Sequence, residues 1–301
     1  MIRYGSWQIG FFNRGFNPGR SGVFGCSTCG AITGKQYHLP DNAGFFAWGG
    51  PVRGCAFYGN YAEVLEGAAN CAYRPTFVLA LFTRSSGAAA FLDGLCEAMP
   101  DVPVAGGVAA GWAGGAGELV PEAEDAALLM CESEEFMTSY QNALEARGGI
   151  YEFDAASPRE LRRLRQPDMP WEDAAVTIKK LKESYRVGES DFASFAFSDN
   201  EGRNLRLTEN ESGEGVRVCA DLPGKGYLHL RVSDPKTASE AIIKSAQTKR
   251  TLYIGDYGFH KLINHPFSTH ESSAMVFLDS QIADGRLCNL TLTSIKASKK
   301  S

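Results

Sequence analysis

One segment near residue 75 restricts the possible folds more than any other part of the sequence. The run PTFVLALF, residues 75–82, is short and continuously apolar, which is typical of a strand buried on both faces. The helix-periodic stretch GAAAFLDGLCEAM follows, with Ser85 or Ser86 as its expected N-cap and Pro100 as its end. VPVAGGVAAG, residues 102–111, then returns as a second buried strand. The segment predicts a right-handed βαβ unit with two parallel strands.

Two glycine-rich segments fall where strands of such a sheet end. GVFGCSTCGAITG, residues 22–34, indicates a strand that runs into a turn, and residues 106–115 continue from the second strand of the βαβ unit. Open α/β sheets bind ligands at the carboxyl ends of their strands. Glycine-rich backbone also presents N–H groups that hold a carboxylate or phosphate without a charged side chain. We therefore expect both segments to lie at strand ends of one sheet and to form a ligand site.

The first half of the chain contains two more predicted elements. DAALLMCE, residues 125–132, predicts a strand, and EEFMTSYQNALEARGG predicts a helix after it. Between residues 148 and 166 the composition changes, because glycine becomes rarer and Lys, Glu and Ser become more frequent. We place a boundary there, which divides the chain into a ligand-binding half at 1–150 and a second half at 151–301.

The second half predicts an α+β unit with a largely antiparallel sheet. SPRE, residues 157–160, has the order of a capping box and predicts a helix over PRELRRLRQ. WEDAAVTIKKLKESY and DPKTASEAIIKSAQ predict two further helices. Strands are predicted for DFASFAFS, NLRLTE, GVRVCADL, GYLHLRV, TLYIGDYGF, SAMVFLDS and RLCNLTLTSI. The predicted fold class is thus α/β and α+β: a mixed or parallel sheet with helices, followed by a smaller antiparallel half.

Charge and cysteine content limit the possible partners. The chain has 301 residues, with 30 basic and 35 acidic side chains and a net charge of −5, which argues against general affinity for nucleic acids or acidic membranes. No long apolar run or signal-peptide pattern is seen, so we expect a soluble, cytoplasmic protein. Eight dispersed cysteines suit buried thiols in a reducing compartment. The six expected in the core are Cys55, Cys71, Cys96, Cys131, Cys219 and Cys288.

The same residues resemble a known family. VFGCSTCGAITG is similar to the Gly-Cys-Ser-Thr loop of FIST domains, and FVLALFT with FLDGLCEAMPDVPVAGGVAAG resembles the strand, helix and glycine-rich strand end that follow it. The resemblance covers roughly residues 20–135, and residues 226–246 bear a loose likeness to the family's C-terminal domain. It implies a sensory input module of signal transduction that binds a small metabolite such as an amino acid, with another chain as its signalling partner.

The pair Cys26 and Cys29 leaves other interpretations open. Two thiols at this spacing suit a dithiol oxidoreductase, and Cys26 with His38 and Asp41 would suit a cysteine hydrolase. A zinc site is weaker, because no second Cys-x-x-Cys pair occurs. His260, His265 and His270 form the other metal-binding candidate. The glycines after residue 104 lack the Gly-Lys-Ser/Thr ending of a nucleotide-binding loop.

The resulting hypothesis is a small-ligand sensor without bond chemistry of its own. We expect the ligand between the Cys26 loop and the Gly106 loop, and we expect no catalytic residue, no cofactor and no metal. The expected partners are a small molecule, such as an amino acid or organic acid, and a signalling protein. The expected ligand-binding residues are Cys26, Ser27, Thr28, Gly30, Arg53, Gly106, Gly107 and Trp112. The thiol-dependent enzyme that uses Cys26 and Cys29 is the alternative.

Overall fold

The structure is a computed structural model. It describes residues 2–12, 22–38, 45–115, 118–120, 125–132, 136–142, 144–145, 148–184, 195–200, 204–205, 207–209, 215–218, 222–233, 240, 248–257, 268–283, 285–288 and 291–297. Within these residues the chain forms three β-sheets and three helices.

The elements are numbered in chain order. The strands as far as residue 145 are β1 (Ile2–Phe12), β2 (Val23–Ser27), β3 (Gly30–Thr33), β4 (Gln36–His38), β5 (Phe45–Gly59), β6 (Phe77–Phe82), β7 (Val104–Val108), β8 (Ala113–Gly115), β9 (Glu118–Val120), β10 (Ala126–Cys131), β11 (Phe136–Asn142) and β12 (Leu144–Glu145). The later strands are β13 (Ile150–Ser157), β14 (Glu160–Arg165), β15 (Glu172–Asp173), β16 (Phe195–Ser198), β17 (Asn204–Leu205), β18 (Leu207–Glu209), β19 (Val216–Val218), β20 (Lys225–Ser233), β21 (Thr251–Asp256), β22 (Ala274–Leu278), β23 (Ser280–Ala283), β24 (Arg286–Cys288) and β25 (Thr291–Ala297). The helices are α1 (Tyr61–Ala69), α2 (Ala88–Ala98) and α3 (Ala174–Ser184).

The first sheet contains the predicted βαβ unit. Its strand order is β24-β23-β7-β6-β10-β5-β1-β2-β8-β9. β6 and β7 are parallel neighbours, and α2 connects them. All six residues of β6 are buried, as the apolar run requires. β10 lies between β5 and β6 and is antiparallel to both, so this sheet is mixed.

The two sides of this sheet bury different cores. On one side α1 and α2 cover it, and Val64 and Phe91 pack with Val78 and Leu128. On the other side lies a six-stranded sheet of order β11-β25-β21-β22-β3-β4. There Phe24 from the first sheet shares a core with Ile254 and Val276. Strands β2 and β3, on either side of the Cys26 turn, therefore belong to two different sheets.

The start of α2 differs from the prediction. Ser85 and Ser86 were the expected caps, but Gly87 occupies the N-cap position with φ +84°, and no side chain caps the helix there. The Ala88 amide instead donates to the Ser85 carbonyl at 3.2 Å, which closes a tight turn before the helix. Glycine suits this position because it adopts positive φ without the steric cost of a Cβ atom.

The third sheet is antiparallel and packs against α3. Its order is β17-β16-β20-β13-β14-β19-β18, with β12 and β15 paired at its side. Its core combines Phe153, Leu164 and Leu228 with Ile178 of α3. The predicted helix at WEDAAVTIKKLKESY is confirmed as α3. The Asp173 carboxylate accepts from the amides of residues 175 and 176 and so caps this helix.

The predicted helix over PRELRRLRQ is wrong. SPRE forms the turn of a hairpin between β13 and β14, and residues 160–165 are a strand. Leu161 and Leu164 are both fully buried. Their spacing of three residues also fits one face of a helix, which is why the sequence suggested one. The hairpin register shifts between the pairs Asp154–Arg163 and Ala155–Leu161, so a β-bulge at Arg162 places both leucines on one face of a strand.

The predicted helix over EEFMTSYQNALEARGG is also wrong. Residues 136–142 form β11, which pairs antiparallel with β25 along its whole length. Met137 and Tyr140 are exposed, so this segment has no apolar face to pack as a helix would. The Ser139 and Ser294 hydroxyls hydrogen-bond across the pair at 2.7 Å. Pairing with a distant strand overrides the local periodicity here.

The predicted α/β and α+β fold class is confirmed, because a mixed sheet with helices is combined with antiparallel sheets. The predicted strands of the second half are confirmed where they are described. The helix expected over DPKTASEAIIKSAQ lies outside the described residues. The division at residue 150 stays a prediction; strands from both sides of it share the first and second sheets. None of the described helices is long and apolar enough to cross a membrane.

Candidate functional site

The Cys26 loop is a tight passage from one sheet to the other. β2 ends at Ser27 and β3 begins at Gly30. The amide of Thr28 donates to the Phe12 carbonyl at 2.9 Å, and the amide of Cys29 donates to the Phe277 carbonyl at 2.7 Å. The Thr28 hydroxyl also lies 3.4 Å from the Phe12 carbonyl and from the Gly30 amide. The backbone N–H groups of this turn are therefore used to join the two sheets.

Ser27 connects this loop to the second glycine-rich segment. Its amide donates to the Trp112 carbonyl at 2.9 Å, and its hydroxyl accepts from the Trp112 amide at 2.9 Å. The Ala110 amide donates to the Ser27 carbonyl at 3.0 Å. The indole of Trp112 is partly exposed and packs on Phe12, with 4.9 Å between the ring centroids. We call this contact of residues 27–29 with residues 110–112 the Ser27–Trp112 junction.

Gly106 and Gly107 lie inside β7, with β6 on one side and β23 on the other. A Cβ atom at Gly106 would lie 1.8 Å from the Ala80 carbonyl oxygen, and one at Gly107 would lie 2.0 Å from the Ser280 carbonyl oxygen. Both positions are buried. The two glycines allow neighbouring backbones to approach, and the chain reaches the junction three residues later, at Ala110.

Arg53 lies elsewhere in the sheet. It pairs with Ser6 on β1, whereas Phe12, six residues farther along β1, pairs with Ser27. Six strand residues correspond to roughly 20 Å. The Arg53 guanidinium lies 6.0 Å from the ring centroid of Tyr4. The structure thus brings Cys26, Ser27, Thr28, Gly30 and Trp112 together and leaves Arg53 near Tyr4.

The thiol of Cys26 is placed for packing. Its side chain is fully buried, and burial together with the neighbouring Cys29 raises its pKa far above the usual value for a thiol. A nucleophilic cysteine requires the opposite, a lowered pKa and access. The His38 imidazole lies 2.7 Å from the Thr33 hydroxyl, and burial lowers its pKa. Asp41 lies outside the described residues. The geometry does not support the thiol-enzyme alternative.

Metal binding has no support in the part of the chain that the structure describes. There, no three His, Cys, Asp or Glu side chains converge in a way that would hold a metal ion. The ring of His270 contacts the Ser272 hydroxyl at 2.9 Å. His260 and His265 lie outside the described residues.

A groove that the sequence did not indicate opens beside the C-terminal end of α1. It has a volume of about 600 Å³. Its lining combines aromatic rings, carboxylates and two thiols: Tyr4, Cys55, Phe57, Glu63, Glu66, Asn70, Cys71 and Tyr73. Cys55 lies on β5 and Cys71 follows α1, so only the packing of that helix on the sheet brings the two thiols together. Nothing in the local sequence signals this pairing.

Comparison with known proteins agrees with the resemblance noted from the sequence. Residues 16–146 match the family profile of the FIST N domain. This match confirms the FIST N resemblance for that part of the chain, which includes β2 to β11 and the Ser27–Trp112 junction. A search of the curated proteins found no match to the chain. FIST domains are sensory modules of signal transduction, so the match supports a sensor module in residues 16–146.

Proposed function

With residues 16–146 as a FIST N domain, we propose that the chain is a small-ligand sensor that binds a polar metabolite, such as an amino acid or organic acid. We place the ligand at the Ser27–Trp112 junction. The observation that carries this placement is the hydrogen bonding of Ser27 to both Ala110 and Trp112, which joins the two segments of the family's sequence pattern. The proposed function is binding without bond chemistry.

The proposed contacts come from the partly exposed atoms of the junction. The Ser27 and Thr28 side chains are buried and hydrogen-bonded to protein carbonyls, so they hold the loop in shape. Cys29, Gly111 and the Trp112 indole are partly exposed. An indole face stacks on apolar or cationic parts of a ligand, and backbone without side chains allows close approach of a carboxylate.

The same junction offers a route from ligand to signal. Residues 108–112 are tied to three places: the Ala109 amide donates to Phe82 on β6, the Ala110 amide donates to Ser27 on β2, and the Val108 carbonyl accepts from Asp279. A ligand that orders Trp112 would therefore act on both the first sheet and the segment between β22 and β23. We propose that a separate signalling protein reads this change in the cytoplasm, and that neither nucleic acid nor membrane takes part.

Thermal unfolding in the presence of amino acids and organic acids tests the proposal. A ligand at 100 times its Kd should stabilise the protein by about 2.7 kcal/mol, which raises the melting temperature. Trp112→Ala should abolish the shift. Trp171→Ala is the matched control, because its indole packs against Arg163 and Arg165 of the third sheet. A panel without any stabilising compound, or a shift that survives Trp112→Ala and disappears in Trp171→Ala, would overturn the placement.

A further inference from the structure

We infer that Cys55 and Cys71 form a thiol pair that a peroxide converts to a reversible disulfide. Both side chains line the same groove of about 600 Å³. They come from different elements, since Cys55 lies on the central strand β5 and Cys71 lies just beyond the C-cap residue of α1. This inference goes beyond ligand sensing at the Ser27–Trp112 junction and does not depend on it.

The two thiols are neighbours in the folded protein. Both line one groove, and the Cys71 thiol is near enough to Cys55 to contribute to the raised pKa of the Cys55 thiol. Both residues also pack on the same core beneath α1 and α2. The backbone at each position is held: the Cys55 amide donates to the Tyr73 hydroxyl at 2.7 Å, and the Cys71 amide donates to the Ala68 carbonyl at 3.2 Å. A disulfide needs close Cβ atoms and little backbone movement. The shared groove wall and core place the two side chains as neighbours, and the two backbone hydrogen bonds hold their positions.

Exposure assigns a different role to each thiol. Cys71 is partly exposed in the groove, so its sulfur is the one that a small oxidant reaches first. Cys55 is 7% exposed, and burial raises its pKa to about 11, with further contributions from Cys71 and Glu132. Cys55 is therefore protonated at neutral pH. These positions fit an attacking cysteine at the surface and a resolving cysteine beneath it.

The chemistry balances with hydrogen peroxide as the oxidant. The Cys71 thiolate attacks one peroxide oxygen, the O–O bond breaks, and the sulfur becomes a sulfenic acid while hydroxide leaves and takes up the proton lost from the Cys71 thiol. The Cys55 sulfur then attacks the Cys71 sulfur, the S–O bond breaks, and the second oxygen leaves as water with the Cys55 proton. Two thiols are oxidised by two electrons in total, and one peroxide is reduced to two waters.

A disulfide at this place would change the groove itself. It would bind the end of α1 to β5 across the wall that both thiols line, next to Tyr73. The pair suggested by the sequence, Cys26 and Cys29, lies at the turn between β2 and β3, and neither of its thiols lines this groove. Cys29, which is partly exposed, therefore provides a matched control for Cys71.

Intact mass spectrometry of the full chain tests the inference. The reduced protein is treated with hydrogen peroxide, and a mass loss of about 2 Da that dithiothreitol reverses is expected. Digestion without reductant should give a peptide that links Cys55 to Cys71. The oxidised form should also melt about 5 to 10 °C higher. The disulfide would close the loop between Cys55 and Cys71 and so lower the conformational entropy of the unfolded chain.

Two variants make the result decisive. Cys29→Ser should lose the same 2 Da as the unchanged protein, whereas Cys71→Ser should not form a Cys55 link. Circular dichroism should show that both variants fold, which serine at a partly exposed cysteine permits. Peroxide treatment that leaves both thiols alkylatable, that adds only oxygen to Cys71, or that links either cysteine to a different partner would overturn the inference.

Discussion

The hydroxyl of Tyr73 accepts a hydrogen bond from the backbone amide of Cys55 at 2.7 Å. The same hydroxyl donates to the Met130 carbonyl at 2.6 Å. Cys55 and Met130 are paired residues of β5 and β10, so the side chain of Tyr73 bridges two neighbouring strands where they would otherwise bond directly. A residue outside the sheet thus completes the sheet's backbone hydrogen bonding.

Tyr73→Phe should lower the free energy of unfolding by about 1 to 3 kcal/mol, because it leaves a backbone donor and a backbone acceptor without their partner. Urea denaturation measures this difference. Tyr4→Phe is the control: Tyr4 is 54% exposed and its hydroxyl donates to Glu132, so its loss should cost little. Equal losses in the two variants would contradict the bridging role of Tyr73.

Gly107→Ala should destabilise the protein severely, by more than about 3 kcal/mol, or prevent folding. The added Cβ would meet the Ser280 carbonyl oxygen at 2.0 Å, so β7 and β23 would have to separate. Gly34→Ala has open space around its Cβ and a positive φ, so it should cost only about 1 kcal/mol. Thermal melting of both variants checks the order, and a mild Gly107→Ala would show that this strand pair is loose.

Ser27→Ala should cost about 1 to 3 kcal/mol, because the Trp112 amide would lose the hydroxyl that accepts from it at 2.9 Å. Ser139→Ala removes an exposed hydroxyl that bonds Ser294 and should change stability much less. Hydrogen exchange at the Trp112 amide gives a local readout. If Ser27→Ala leaves that exchange rate unchanged, Ser27 does not hold the junction together.

Asp154 should make stability depend on pH below about 4. The carboxylate is bonded by Arg162 at 2.5 Å and Arg163 at 2.6 Å, which lowers its pKa to about 2. Because the folded pKa lies below the unfolded value of about 3.9, the stabilisation is complete above that value and is lost as the pH falls towards 2.

Asp154→Asn should therefore cost on the order of 1 to 2 kcal/mol at pH 7, a range that allows for solvent screening of the two half-exposed arginines. The difference from the unchanged protein should vanish near pH 2. Asp101→Asn, at an exposed pair with Arg74, should be nearly neutral at both values. Denaturation at several pH values provides the comparison, and a difference that does not shrink in acid would contradict this explanation.

Local sequence patterns predicted the parts of the fold that local contacts determine. The βαβ unit of residues 77–108 combines an apolar strand, an amphipathic helix and a returning strand within one short segment. Its sequence pattern was therefore sufficient to predict these three elements. Residues 136–142 were predicted as part of a helical run, and residues 160–165 were predicted as a helix from the capping-box order of SPRE and the three-residue spacing of Leu161 and Leu164. In the structure, residues 136–142 form a strand because they pair with the distant strand β25. Residues 160–165 form a strand in which a bulge at Arg162 places Leu161 and Leu164 on the same face.

The candidate sites follow the same rule. The meeting of Ser27 with Trp112 was predictable in outline, because both segments end strands of one sheet. Their internal hydrogen bonding was not, since it depends on carbonyl groups of Phe12 and Phe277 that are distant in sequence. The Cys55 and Cys71 pair was missed entirely, because it arises from the angle at which α1 packs on β5, and no spacing in the sequence encodes that angle.

The pairing of β3 with β22 and of β11 with β25 also has a consequence for how the protein is made. During synthesis, β3 and β11 leave the ribosome before β22 and β25, the strands that complete their hydrogen bonds. Until residues 274–297 emerge, the edges of both strands stay open to other chains, and such edges are sites of aggregation. Closure over so many residues also slows folding. Strands that are synthesised later therefore protect strands that are synthesised earlier.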